Sequence, residues 1–184
     1  MKCIRLIIRG RGDPLEKNLI EKWFELYERD ITSFLIYYTG SMDVEDLVQE
    51  TFLRAWSKIN KYNESAHAKT WLISIARNMV IDHYRRNRVW SKIKHTLLQE
   101  QNFSINTEQH IILNQANSHL YNAISKLPSM YKEVIILKGI LEMSSKEVSR
   151  VMKSSENNIN VMYHRSLKKL KTVMEKEGYE YGEF

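Results

Sequence analysis

A single cysteine, Cys3, rules out an internal disulfide framework and leaves no Cys/His spacing able to hold a metal. Two prolines and six glycines leave few helix breakers in 184 residues. No sustained β-branched alternation marks a strand, so the expected fold class is all-α. No apolar run approaches the roughly 20 residues that span a bilayer, and membrane insertion is not expected. The amino terminus, MKCIRLIIRGRGD, has a short apolar core broken by Arg5 and no small-residue cleavage site. It makes a poor signal peptide, and a cytoplasmic location is the expectation.

Charge is plentiful and unevenly spread around a net of +6. Residues 13–64 carry 11 acidic and 6 basic side chains, residues 77–94 carry 1 and 6, and residues 146–176 carry 3 and 8. One protein-facing surface followed by two surfaces suited to a polyanion would produce this order.

Apolar spacing of three and four places a first helix on Ile20, Trp23, Phe24, Tyr27, Ile31, Phe34, Leu35 and Tyr38, ending at Gly40. Asp43 is placed to cap a second helix, with Val44, Leu47, Val48, Phe52, Ala55 and Ile59 on its core stripe. A third is expected from Thr70 to Arg88. These make one helical domain, 13–90. Residues 91–115 are polar and weakly periodic and are expected to be a flexible linker. A second small domain, 116–176, ends in a helix-turn-helix. There Ser144–Glu147 fits a capping box, and Ile159, Tyr163, Leu167, Leu170 and Met174 are expected on the buried side of the last helix.

Two stretches of the first domain suggest chemistry. In DVEDLVQETFLRAW, a spacing of 100° per residue turns Leu53 and Trp56 outward beside Asp46, Gln49 and Glu50, an apolar anchor ringed by carboxylates that suits a protein partner. The alternative is that Trp56 folds back under the first helix. The carboxylates Asp43, Glu45, Asp46 and Glu50 could suggest a metal-dependent nuclease, but they spread over more than one face without a lysine or histidine to complete a site. In TWLISIARNMVIDHYRRNR, Ser74, Arg77, Asn78, Ile81, Arg85 and Arg88 form an outward strip with Asp82 at its edge. Arginines supply phosphate attraction, and the Asn78 amide can query a base edge. The preceding loop holds Tyr62, Asn63, Ser65 and His67, a polar and aromatic setting suited to unstacked bases.

These two segments, followed by LPSMYKEVIILKGILEMSSKEVSRVMKSSENNINVMYHRSLKKL, resemble a bacterial RNA polymerase sigma factor of the extracytoplasmic-function group of the sigma-70 family. The resemblance implies a chain that binds core RNA polymerase, directs it to promoter DNA and helps melt the minus-10 element, with no catalytic residue and no cofactor of its own. It places Asp46, Gln49, Glu50, Leu53 and Trp56 on the polymerase. The residues from Tyr62 to Lys69 match the loop that pockets an extruded base. Asn78, Asp82, Arg85 and Arg86 match the helix reading the minus-10 element. The second domain would read the minus-35 duplex, with Ser155, Asn157, Asn158, Asn160 and Val161 at the tip of its last helix and His164, Arg165, Lys168 and Lys169 on the backbone. An anti-sigma partner is common in the group. The competing class is a helix-turn-helix regulator that recruits no polymerase.

The chain departs from the family pattern in places. Where the family often has glycine, Glu142 and Lys153 stand, and a left-handed conformation at Lys153 would cost about 1 kcal/mol against glycine. Asn160, Val161 and Met162 replace a common Lys-Ser-Arg, a loss of two cations expected to remove phosphate contacts.

Overall fold

The computed structural model describes residues 14–63, 67–97 and 115–178, without the side chains of residues 14, 15, 17, 86–97 and 115–118. Seven α-helices and no strand occur among the described residues. Helix α1, Pro14–Thr39, starts on a proline, whose missing N–H costs nothing in a first turn. It stops at Gly40, where φ is +83° and a Cβ would press on the Tyr121 hydroxyl at 3.3 Å. Helix α2 spans Glu45–Ser57 and α3 spans Ala68–Leu97. The three pack on one another, with Phe34, Leu35, Phe52, Leu72, Ile73 and Met79 sealed between them. Each such side chain contributes roughly 1.5–3 kcal/mol.

The expected cap at Asp43 is not formed. Val44 takes the capping position with no side-chain bond, while the Asp43 backbone N–H donates to Ser41 Oγ at 3.1 Å. The loop thus satisfies itself before the helix begins. Helix α3 runs to Leu97, so residues 91–97, expected in the linker, are helical. Residues 98–114 lie outside the described residues.

The second domain holds α4, Gln115–Ser125, α5, Ser129–Ile135, α6, Ser145–Met152, and α7, Glu156–Lys176. Helix α5 widens at its end into a π turn, Ile136–Ile140, closed by the Leu141 N–H on the Ile136 carbonyl. Glu142 then turns left-handed at φ 52°. The capping box at Ser144 is present with both of its reciprocal bonds. Helix α6 ends at Lys153, left-handed at φ 53° and ψ 50°, and the Ser154 N–H returns to the Ser149 carbonyl at 3.0 Å. Both non-glycine residues noted in the sequence therefore occupy the conformation glycine favours.

The buried stripe of α7 is Ile159, Met162, Ser166 and Leu170. Leu167, expected inside, is 41% exposed. Its place is taken by Ser166, small enough to be sealed and able to satisfy its hydroxyl on the Met162 carbonyl at 2.7 Å.

The two domains touch directly. Helix α6 lies on α3, and α4 and the π turn lie on α1. Polar pairs cross the seam beside the Tyr37–Tyr121 ring contact at 5.7 Å: Arg77 pairs with Glu133, Thr70 Oγ1 donates to Glu147 at 3.2 Å, and Lys132 Nζ donates to the Tyr38 carbonyl at 3.1 Å.

Candidate nucleic-acid interface

Helix α3 keeps its place through Leu72, Ile73, Ile75, Ala76, Met79 and Val80, all buried. That fixes the opposite face. Asn78, Asp82 and Arg85 are exposed there, at helical spacings of four and three. Two residues of the expected strip are occupied otherwise. Ser74 donates to the Thr70 carbonyl of its own helix at 2.8 Å, and the Arg77 guanidinium binds the Glu133 carboxylate of α5. The side chains of Arg86 and Arg88, like the whole of Ser65, lie outside the described residues.

At the mouth of the loop, Tyr62 is half-buried, its ring 4.7 Å from Trp23 at 74° and 5.2 Å from Trp71. Edge-to-face rings of this kind fix one another, so Tyr62 anchors the loop in the aromatic cluster of α1 and α3. Asn63 and His67 are exposed. His67 Nδ1 accepts the Lys69 backbone N–H at 3.3 Å, and its ring lies 5.7 Å from Tyr27. Lys69 joins three elements, pairing with Asp30 at 2.8 Å and donating to the Leu141 carbonyl at 3.2 Å.

On α2, Asp46 is exposed while Gln49, Glu50 and Leu53 are half-exposed. Gln49 reaches Glu45 at 3.5 Å and Glu50 pairs with Arg54. Trp56 is partly buried against the core, so it serves both surface and interior. No group of three or more His, Cys, Asp or Glu side chains able to hold a metal occurs among the described residues.

Helix α7 presents Asn157, Asn158, Asn160, Val161, His164, Arg165 and Lys168 to solvent. Ser155 caps it, accepting the Asn158 backbone N–H at 3.2 Å, and the Asn158 side chain donates to Ser154 at 2.8 Å. Asn158 is thereby a structural residue of the tip as much as a free amide. Met162 is buried. Asn160 is exposed, so of the two cations that the sequence lacks here, only the one at 160 would have stood in solvent.

The sequence reading missed the seam itself. Glu133, 2% exposed, sits beside Val134 and four residues before Leu137, a charge in the buried phase of an apolar helix. That is a signal of a buried partner, but nothing local says that the partner is Arg77. The electrostatics at Glu147 have the same origin. Burial pushes its carboxyl up, yet bonds from the Ser144 hydroxyl and amide, from the Thr70 hydroxyl, and the nearby His67 outweigh this and hold it below the usual carboxylate range.

Comparison with known proteins matches residues 23–89 to sigma-70 region 2 and residues 119–170 to sigma-70 region 4. The chain is 32% identical over 157 residues to the extracytoplasmic-function RNA polymerase sigma factor SigM of Bacillus subtilis, covering 84% of this chain and 94% of SigM. Its fold is similar to that of the sigma factor RpoE of Bartonella quintana, solved with the anti-sigma factor NepR, with a TM-score of 0.69 at 22% identity over 84% of this chain and 96% of that one. It is also similar to CnrH, solved with the cytosolic domain of CnrY, with a TM-score of 0.64 at 20% identity over 94% and 95%. The chain thus belongs to the extracytoplasmic-function sigma factors of the sigma-70 family.

Proposed function

We propose that this chain initiates transcription by docking α2 on core RNA polymerase, reading the minus-10 element with α3 and the loop before it, and reading the minus-35 duplex with α7. The observation that carries it is the face of α3. Asn78, Asp82 and Arg85 stand together in solvent on a helix whose other side is locked in the core, inside the segment matched to region 2. An amide flanked by a cation can query a base edge while the backbone is held. Leu53 and Asp46 supply an apolar and an acidic contact on α2. Asn63 and His67 flank the loop where an extruded base would enter. The polymerase performs the chemistry, in the cytoplasm, and this chain positions and melts.

Both DNA elements cannot be reached in the closed arrangement. Their names place them about 25 base pairs apart, roughly 85 Å along B-DNA at 3.4 Å per step, whereas α3 and α6 are in contact. Promoter engagement therefore parts the domains and releases Arg77, Lys69 and Thr70. An anti-sigma protein holding the two domains is a fitting regulatory partner.

The test is reconstitution with core polymerase, followed by run-off transcription. Asn78→Ala should lower open-complex formation while leaving polymerase binding intact. Duplex binding without any association with core polymerase would instead leave a helix-turn-helix regulator.

A further inference from the structure

Lys138 lies in the π turn, its ammonium 5.2 Å from the centroid of the Tyr163 ring and 2.5 Å from Ser145 Oγ. The same hydroxyl is 2.6 Å from Asn160 Oδ1, and Lys138 Nζ lies 3.4 Å from that oxygen. A lysine ammonium only donates. It takes a lone pair of Ser145 and leaves the hydroxyl proton for Asn160. An amide nitrogen turned toward this pair would set donor against cation, so the network fixes the Asn160 oxygen inward. Asn160 is nonetheless exposed on the face of α7 beside Asn157, Val161 and His164, and its two amino protons remain for a ligand.

We propose that Lys138 and Ser145 make Asn160 a donor-only reader of the minus-35 duplex, given that α7 is the helix entering it. An unrestrained asparagine pairs with adenine, its oxygen accepting from N6 and its nitrogen donating to N7. Here the oxygen is committed, and adenine loses half of that pairing. Guanine presents two acceptors, N7 and O6, to the amino group, while cytosine presents a donor that opposes it. The base facing Asn160 is therefore guanine in preference to adenine, with cytosine worst. Lys138 and Ser145 act as positioning residues and touch no base.

Holoenzyme assembled from core polymerase and the full chain is challenged with a promoter library randomised through the minus-35 element, and the bound fraction is sequenced. The position facing Asn160 is the one whose selectivity Asn160→Ala abolishes. Wild type should enrich guanine over adenine there by about tenfold, within the discrimination that one good pair provides. Lys138→Met with Ser145→Ala frees the oxygen and should shift that position toward adenine, other positions unchanged. Ser145→Ala alone, which leaves the Ser144 cap intact, should shift it the same way by less. Adenine preference in wild type, or an unaltered base profile in both variants with circular dichroism unchanged, overturns the assignment. If Asn160→Ala alters no position while the rest of the element stays selective, Asn160 is not a reader and α7 still is. If wild type selects nothing across the element, the reading of α7 itself fails.

Discussion

The Arg77 guanidinium and the Glu133 carboxylate pair across the seam between the two helical domains, with the Glu133 side chain only 3% exposed. Removing one partner of a buried pair costs about 3–5 kcal/mol, because the other charge stays behind. The chain can avoid part of that by letting the domains part, which returns Glu133 to water. Arg77→Ala should therefore lower the urea midpoint or raise the radius of gyration in small-angle scattering. No change in either would show that the pair is not formed in solution.

Trp56 is partly packed on the core and Leu53 is half-exposed, so the two should separate binding from folding. Leu53→Ala should weaken association with core polymerase while shifting unfolding by less than about 0.5 kcal/mol. Trp56→Ala should weaken association and also destabilise by more than 1 kcal/mol. Titration against labelled core enzyme beside a urea melt reads both, and unaltered affinity in the double variant would remove α2 from the docking surface.

Lys153 holds a left-handed turn with a side chain. Lys153→Gly should stabilise the second domain by about 0.5–1 kcal/mol, the relief of a Cβ in that region. Chemical denaturation measures it, and a neutral or destabilising result would mean that contacts of the lysine stem outweigh the strain.

The depressed carboxyl of Glu147 sets an acid limb. A group whose folded value lies below its unfolded one, near 4.3, stabilises fully above that pH and loses the contribution as pH falls through the folded value. Glu147→Gln should thus be less stable than wild type at pH 7, with the gap closing below about pH 4. A gap independent of pH would assign the effect to the lost Ser144 and Thr70 bonds rather than to charge.

Local features were legible in the sequence. The capping box at Ser144 involves residues within a few positions of one another, where side-chain type dictates the bond, whereas the left-handed turn at Lys153 was expected only from the glycine that the resembling family carries there. The buried stripe of α1 was legible for the same local reason as the capping box. Leu167 and Ser166 were not, because phase along a single helix cannot tell which of two adjacent residues a neighbouring helix will cover. The site was half visible: Asn78, Asp82 and Arg85 stand where helical geometry put them. Arg77 and Lys69 do not stand free, since their partners Glu133 and the Leu141 carbonyl come from 56 and 72 residues further along.

The π turn at Ile136–Ile140 carries one residue more per turn than an α-helix would. The five-residue turn advances the chain about as far as four residues of α-helix do, so the extra residue is absorbed where it stands. An extra residue in the α-helical part of α5 would instead rotate everything after it by about 100°. The wide turn is thus a place where one residue is accommodated while Lys138 still meets Ser145.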